Sequence, residues 1–444
     1  MLRCSVDNAA AGPSSSFLPE AESVGGNRPV SIPVMAFPAR CRAVLPATAE
    51  ARERWVRRRV GLVWALLFLN VLTFATGTWN QEPLIVPIPS AIGKIITQGA
   101  LPVALIVALT LNRRVVIRPN VFLVLTTLLA LAAIVSAVHP EGHVVGTLYR
   151  TVRLCGFVAT LWLLSPWWGR RDLLLLRCQL WALGVVLASV LLGMLVTPGR
   201  ALAQGRLSGE FWPISPTQVA DLAAVLAGLV FVLWLCRLVP GRVALAVSAV
   251  GGGLLLLTHS RVALLAMLAG VLVAGLSMFL TRARARWMFA AAALVASLAV
   301  IAFSSALTTW LIRGESTSQL KDLTGRTSVW SLVVKAPRDA FQVLFGFGLS
   351  NKSFNGLPVD SNWLAAYLDL GVVGVVLSAS LLVFVLIAAY FEPSGARRAL
   401  ALFLVTYLLI TSLTATGLGD ASIALLELSL AASLLVPSLA RGSP

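Results

Sequence analysis

Apolar residues run through this chain in stretches of about 20, the helix length that crosses the hydrocarbon of a bilayer. Short polar or basic breaks separate them. The pattern predicts an all-α, polytopic membrane protein with about twelve transmembrane helices. They fall near 60–79, 87–111, 120–138, 150–167, 173–195, 216–236, 242–258, 262–280, 287–307, 361–390, 398–413 and 418–437. The stretch 361–390 is long, so its first turns are expected to rise above the membrane, or the helix to tilt strongly. Residues 1–56 begin with a region rich in Ser, Pro, Ala and Gly and read as a disordered cytoplasmic tail. Residues 57–437 form the membrane domain, and 438–444 a second short cytoplasmic tail. No long apolar stretch follows a basic start in the first fifty residues, so no cleaved signal peptide is expected.

The longest break is 308–360. A structureless loop of that length is unusual in a compact domain, so short helices are expected to lie along the membrane surface there. One is predicted at 325–334. Trp330, Val333 and Val334 give it an apolar side, and Pro337 would end it.

Charge sharpens the topology. Hydrophobic residues make up 58% of the 444, and charged residues only 12%, against about 25% in soluble domains. The formal charge of +17 raises the question of nucleic acid. The charges sit in short clusters between apolar runs, which is a topology signal, so no nucleic-acid partner is implied. The basic clusters 52–59, 113–118, 170–171, 237–242, 282–286 and 397–398 share one side of the twelve-span arrangement. That side, with both termini, is assigned to the cytoplasm, which makes this a multi-pass membrane protein. Cys4, Cys41, Cys155, Cys178 and Cys236 have no paired spacing and read as small core residues.

The candidate chemistry lies on the other side. Arg150, Arg153, Arg200, Arg206, Arg261, Arg313, Lys321 and Arg326 fall there, where arginine should be scarce. The planar guanidinium fork suits a diphosphate. The plainer reading is that long side chains reach the interface. Arg261 stands out: with Thr258, His259 and Ser260 it interrupts two apolar runs, so it must open a helix. Its charge and the free N–H groups of that first turn would favour the same anion. Arg150 and Arg153 lie three apart on one helix face and are candidates for the same anion or for lipid headgroups. His259 is a candidate donor or base. Asp360, before the tenth span, is a candidate base or acceptor ligand, or else Asp360 or Ser361 caps the helix. Asp369, further along that helix, is expected to pair with an arginine. Lys94, Asp221 and Asp420 read equally as structural partners or ligands. His139 and His143 share a loop with Glu141, but nothing completes a metal site, and none is assigned. Gly346-Phe347-Gly348 permits a tight bend; the lysine and Ser/Thr of a nucleotide phosphate loop are missing.

Four segments in order carry a resemblance. They are Gly205-Arg206-Leu207-Ser208-Gly209, Thr258-His259-Ser260-Arg261, Leu323-Thr324-Gly325-Arg326-Thr327-Ser328-Val329-Trp330, and Gly346-Phe347-Gly348 followed by Asp360 through Gly374. Together they resemble the O-antigen ligase and polymerase family of membrane glycan transferases. The resemblance implies a glycosyltransferase that moves a glycan from a polyprenyl-diphosphate-linked donor to a sugar hydroxyl, with inversion and with no metal ion or other cofactor. Its partners would be that donor, a glycan or lipid-linked acceptor, the lipid bilayer and other membrane proteins of polysaccharide assembly. Arg261 and Arg326 would hold the diphosphate, and Asp360 would serve the acceptor. Arg150, Arg153, Arg206, His259, Ser260 and Asn362 would bind substrate. Ligases of the family carry histidine then asparagine where this chain has Asp360 and Ser361, which favours a polymerase over a lipid A–core ligase. A lipid-linked-glycan transporter is the rival of a different class; it would need polar residues along a path through the bilayer.

Overall fold

The computed structural model describes residues 47–74, 88–138, 144–202, 205–279, 283–284, 286–288, 291, 326–350, 353–354 and 357–437. They form the helices α1 (Ala47–Val71), α2 (Ser90–Leu111), α3 (Val121–Ser136), α4 (Val144–Leu164), α5 (Leu174–Val196), the single turn α6 (Pro198–Ala201), α7 (Pro216–Leu235), α8 (Gly241–Leu257) and α9 (Arg261–Met278). After these come α10 (Arg326–Lys335), α11 (Ala340–Phe345), a two-residue hairpin of Ser353–Phe354 with Leu357–Pro358, α12 (Asn362–Phe391), α13 (Ala396–Thr411) and α14 (Ile423–Leu435).

The molecule is a multi-pass, all-α membrane protein, but the expected count of about twelve spans is corrected. Six helical stretches among the described residues are long and apolar enough to cross: Ser90–Leu111, Val144–Trp167, Leu174–Val196, Pro216–Leu235, Arg261–Met278 and Asn362–Phe391. Three of the expected spans form helices too short to cross. Val121–Ser136, Gly241–Leu257 and Ile423–Leu435 have only 16, 17 and 13 residues. At ~1.5 Å per residue those lengths fall short of a ~30 Å hydrocarbon layer. Helix α1 has 25 residues, but its first half carries Glu50 and the basic cluster 52–59. It begins at Ala47, ahead of the boundary expected for the tail. The predicted span 287–307 lies almost wholly outside the described residues.

Helix α7 is the axis of the bundle. It is 78% buried, whereas the other candidate spans are 28–39% buried. The outward faces of those helices carry Ile95, Trp181 and Leu265 exposed, as lipid contact requires. Small residues let the central helices approach. Phe403 of α13 fills the space beside Gly228 of α7 and Gly270 of α9; a Cβ at those glycines would sit 2.1 and 2.9 Å from its ring. Tyr407, one turn further on, donates to Asp221 of α7 at 2.9 Å.

The expected large loop with helices along the membrane surface is also corrected. Residues 308–325 lie outside the described residues. The two short helices that follow pack into protein: Val333 of α10 is fully buried and clusters with Val359, Ala365 and Leu368. Arg338 fixes this layer by donating to the carbonyls of Val333 and Tyr367, both at 3.2 Å, with its guanidinium over the Phe347 and Tyr367 rings.

Helix α12, at the long stretch 361–390, is broken. Gly371 has φ 63° and ψ −159° and divides it. A Cβ there would lie 2.4 Å from the backbone of Leu344, and one at Gly346 would lie 2.5 Å from that of Asp369. Two backbones therefore touch where only glycine fits. At the break, the carbonyls of Leu368 and Asp369 have partners outside the helix. They accept from Phe347 N–H at 2.9 Å and Gly348 N–H at 3.0 Å, and Ser136 Oγ also donates to Asp369 O at 2.8 Å. Such re-pairing is what permits a broken helix in a membrane protein.

Candidate functional site

The loops gather at two rims. At one, Glu53 of α1 meets Arg57, Arg170 and, through them, Asp172. Arg397 bonds to Gly169 O, and Gly169 N–H donates to Ser433 O at 2.9 Å. The predicted basic loops 52–59, 113–118, 170–171 and 397–398 thus share this basic rim.

The opposite rim holds the candidate chemistry. Helix α9 opens at Arg261, and its N-cap, Ser260, makes no side-chain capping bond. Just before it, His259 adopts φ 53°, in the left-handed region that is uncommon outside glycine, though His enters it more readily than most residues. Strain of this kind costs about 1–3 kcal/mol and persists where the surroundings enforce it. The enforcing contacts are visible. Thr258 is fully buried and donates to Leu255 O. The loop 205–209 lies across the turn: Arg206 Nε donates to Thr258 O at 3.0 Å, and Leu207 N–H donates to Leu257 O at 3.0 Å. Burial pushes the Arg206 guanidinium pKa below its ordinary value. Two of the four sequence segments are therefore in contact.

The third side of the rim comes from α12 and α13. Gly270 and Phe403 meet near the middles of α9 and α13. Arg261 opens α9 nine residues before Gly270, and α13 ends at Thr411, eight after Phe403. At ~1.5 Å per residue both helix ends reach nearly the same level, ~13 Å from the crossing. Asn362 N–H donates to Ser412 O at 2.9 Å, so the start of α12 joins that level. Its side-chain oxygen accepts from Leu418 N–H at 2.8 Å and Gly417 N–H at 3.2 Å. Asn362 is 2% exposed, and its side-chain nitrogen meets no protein acceptor among the described residues.

Other predicted residues take varied places. Arg150 lies 3.7 Å from the buried carboxylate of Asp420. Arg153 is turned to scaffold work: its Nε and NH2 donate to Asn70 Oδ1 at 3.1 Å and Asn70 O at 2.8 Å. Asn70 in turn donates to Thr97 O at 2.9 Å, which ties α4, α1 and α2 together. Asp360 is half-buried immediately before the N-cap of α12. The cap is Ser361, whose side chain makes no capping bond. Asp369, expected to pair with arginine, accepts from Ser350 Oγ at 2.7 Å and Ser350 N–H at 3.2 Å. Arg326 is the first residue of α10. His139, Glu141 and His143 lie outside the described residues. Among the described residues no group of three His, Cys, Asp or Glu is placed to hold a metal ion.

Sequence reasoning passed over Glu210, in the same loop as Arg206 and 2% exposed, and Glu427, 1% exposed in α14. Glu427 interacts electrostatically with Asp221. The available signal was a lone carboxylate in an apolar helix, which is costly in a bilayer and marks a position worth naming.

No protein-family model matches the chain, and no curated protein matches it.

Proposed function

We propose that this protein transfers a glycan from a polyprenyl-diphosphate donor to a sugar hydroxyl at the rim that carries Arg261. In this reading that rim is the outer face of the inner membrane, and the basic rim and both termini are cytoplasmic. The observation that supports it is the bond from Arg206 to Thr258, 52 residues away, which sets two arginine-bearing segments side by side at a strained turn.

Arg261 and Arg326 hold the diphosphate. The bond from the anomeric carbon to the diphosphate oxygen breaks, its electron pair leaves with that oxygen, and the guanidinium groups stabilise the growing charge. The acceptor hydroxyl oxygen bonds to the anomeric carbon from the opposite face and inverts it. Its proton passes to the Asp360 carboxylate. Arg150, Arg206, His259, Ser260 and Asn362 line the bound substrates, with Arg153 supporting α4 behind them. Extension of a lipid-linked repeat is favoured over ligation because Asp360 and Ser361 stand where ligases carry histidine and asparagine.

The test is transfer by the purified protein with a lipid-linked donor. Arg261→Ala and Arg326→Ala are each expected to lose about 100-fold or more in turnover. Full product formation by both variants rejects the proposal. A ladder of lipid-linked repeats identifies a polymerase, and one transfer to a different lipid identifies a ligase. Donor that crosses the membrane of vesicles without reacting identifies a transporter.

A further inference from the structure

The basic rim holds two adjoining cavities that differ in how far their arginines are balanced. The smaller, about 540 Å³, contains Glu53 and Asp172 among its arginines. Those carboxylates bridge Arg57 and Arg170, so two of its four arginines are balanced from within. The larger, about 1140 Å³, is lined by Arg52, Arg59, Arg113 and Arg114 with Trp55 and Trp167, and among the described residues no carboxylate is part of its lining.

Its frame is held before any ligand arrives. Asn112 closes the 112–116 turn by donating to Val116 O at 2.7 Å and accepting from Val116 N–H at 2.9 Å. The same side chain donates to Leu163 O at 3.1 Å, and Arg118 N–H donates to Ser165 Oγ at 2.8 Å. These bonds fasten the 112–118 loop to the end of α4. Arg59 is set by a 3.0 Å bond to Thr110 Oγ1 and by the Trp55 ring beneath its guanidinium. Four cations are thus presented from α1 and from the 112–118 loop around one space.

The neighbouring surface is greasy. Ile106 and Leu109 of α2 and Val115, Val116 and Ile117 of the loop are all exposed. A cationic cavity bordered by an exposed apolar face suits an amphiphile: phosphate against the arginines, acyl chains along α2. We propose that this cavity is a binding site for the phosphate headgroup of an anionic phospholipid. The site is separate from the rim of Arg261 and does not depend on the glycan-transfer reading.

Native mass spectrometry of the full chain tests it, with delipidated protein in a nonionic detergent titrated in turn with cardiolipin, phosphatidylglycerol and phosphatidylcholine. The wild type is expected to retain an anionic lipid with about tenfold or greater preference over phosphatidylcholine. The Arg113→Ala/Arg114→Ala variant is expected to lose that preference. Arg52→Ala, on a different element, is expected to weaken it independently, and Arg113→Lys/Arg114→Lys to keep part of it. Lipid-free thermal unfolding of each variant separates lost binding from lost fold. Undiminished preference in folded forms of both alanine variants would overturn the assignment. Pyrophosphate binding as tight as that of cardiolipin would also overturn it, because the tails would then contribute nothing.

Discussion

The two rims use arginine in different ways. At the Arg261 rim, individual guanidiniums are fixed by specific protein groups: Arg206 by a buried carbonyl, Arg150 by a buried carboxylate, Arg153 by both oxygens of Asn70. At the basic rim they come in clusters, some balanced by Glu53 and Asp172 and others gathered around a cavity without a carboxylate among the described residues. Fixed single cations suit a site that must hold a reacting group in one geometry. Clustered cations suit recognition by net charge and control of topology. The lesson is that the number of arginines on a face says less than what each one is fastened to.

The largest effect expected from breaking this contrast is at Arg261. Arg261→Lys keeps the charge and loses the fork, and is expected to fall by about 10-fold or more in transfer. Near-wild-type turnover with lysine would make the two rims alike. Next comes Gly371→Ala. A side chain there must adopt φ 63° and meets the Leu344 backbone at 2.4 Å. A loss of about 2 kcal/mol or more in stability is expected, measured as a lower Tm and less folded protein. An unchanged Tm would mean that the kink relaxes without it.

Asn70→Leu removes the side-chain acceptor of Arg153 Nε and the donor to Thr97 O, leaves the backbone acceptor, and should cost about 1.5–3 kcal/mol, read by thermal unfolding. Its effect should fall on the amount of folded protein. A normal Tm with a raised KM would instead return Arg153 to the substrate site. The smallest effect is at the basic rim. Burial raises the Glu53 pKa, but its bonds to Arg170 and Arg57 outweigh burial and leave it below the ordinary 4.5. A carboxylate shifted down stabilises the folded state above its unfolded pKa, and that contribution is lost as pH falls through the folded value. The wild type should therefore be slightly more stable than Glu53→Gln at neutral pH, with the advantage vanishing in acid. An advantage that persists in strong acid would show that the network stabilises through packing.

Much of the architecture was legible because bilayers impose a simple pattern. Apolar runs located the helices, and Arg261 was correctly expected to open one. The span count failed because hydropathy reports where lipid-like residues lie, not how long each helix remains regular. The kink at Gly371 escaped because one φ value has no periodicity; glycines at 346 and 371 acquire meaning only when their backbones are seen to touch. Arg153 and Arg206 looked equivalent in sequence, since nothing local says that one will meet Asn70 and the other Thr258. Long-range partners of that kind are set by the fold and leave no local signal.

The break in α12 bears on how this protein tolerates different membranes. Beyond Gly371, the segment 372–391 holds 20 residues, whose rise of ~30 Å matches the hydrocarbon by itself. Adjustment to a thicker or thinner lipid layer can be absorbed by tilting that portion. The nine residues before the glycine are moored to Ser136 and to Phe347 and Gly348, so they need not follow the tilt.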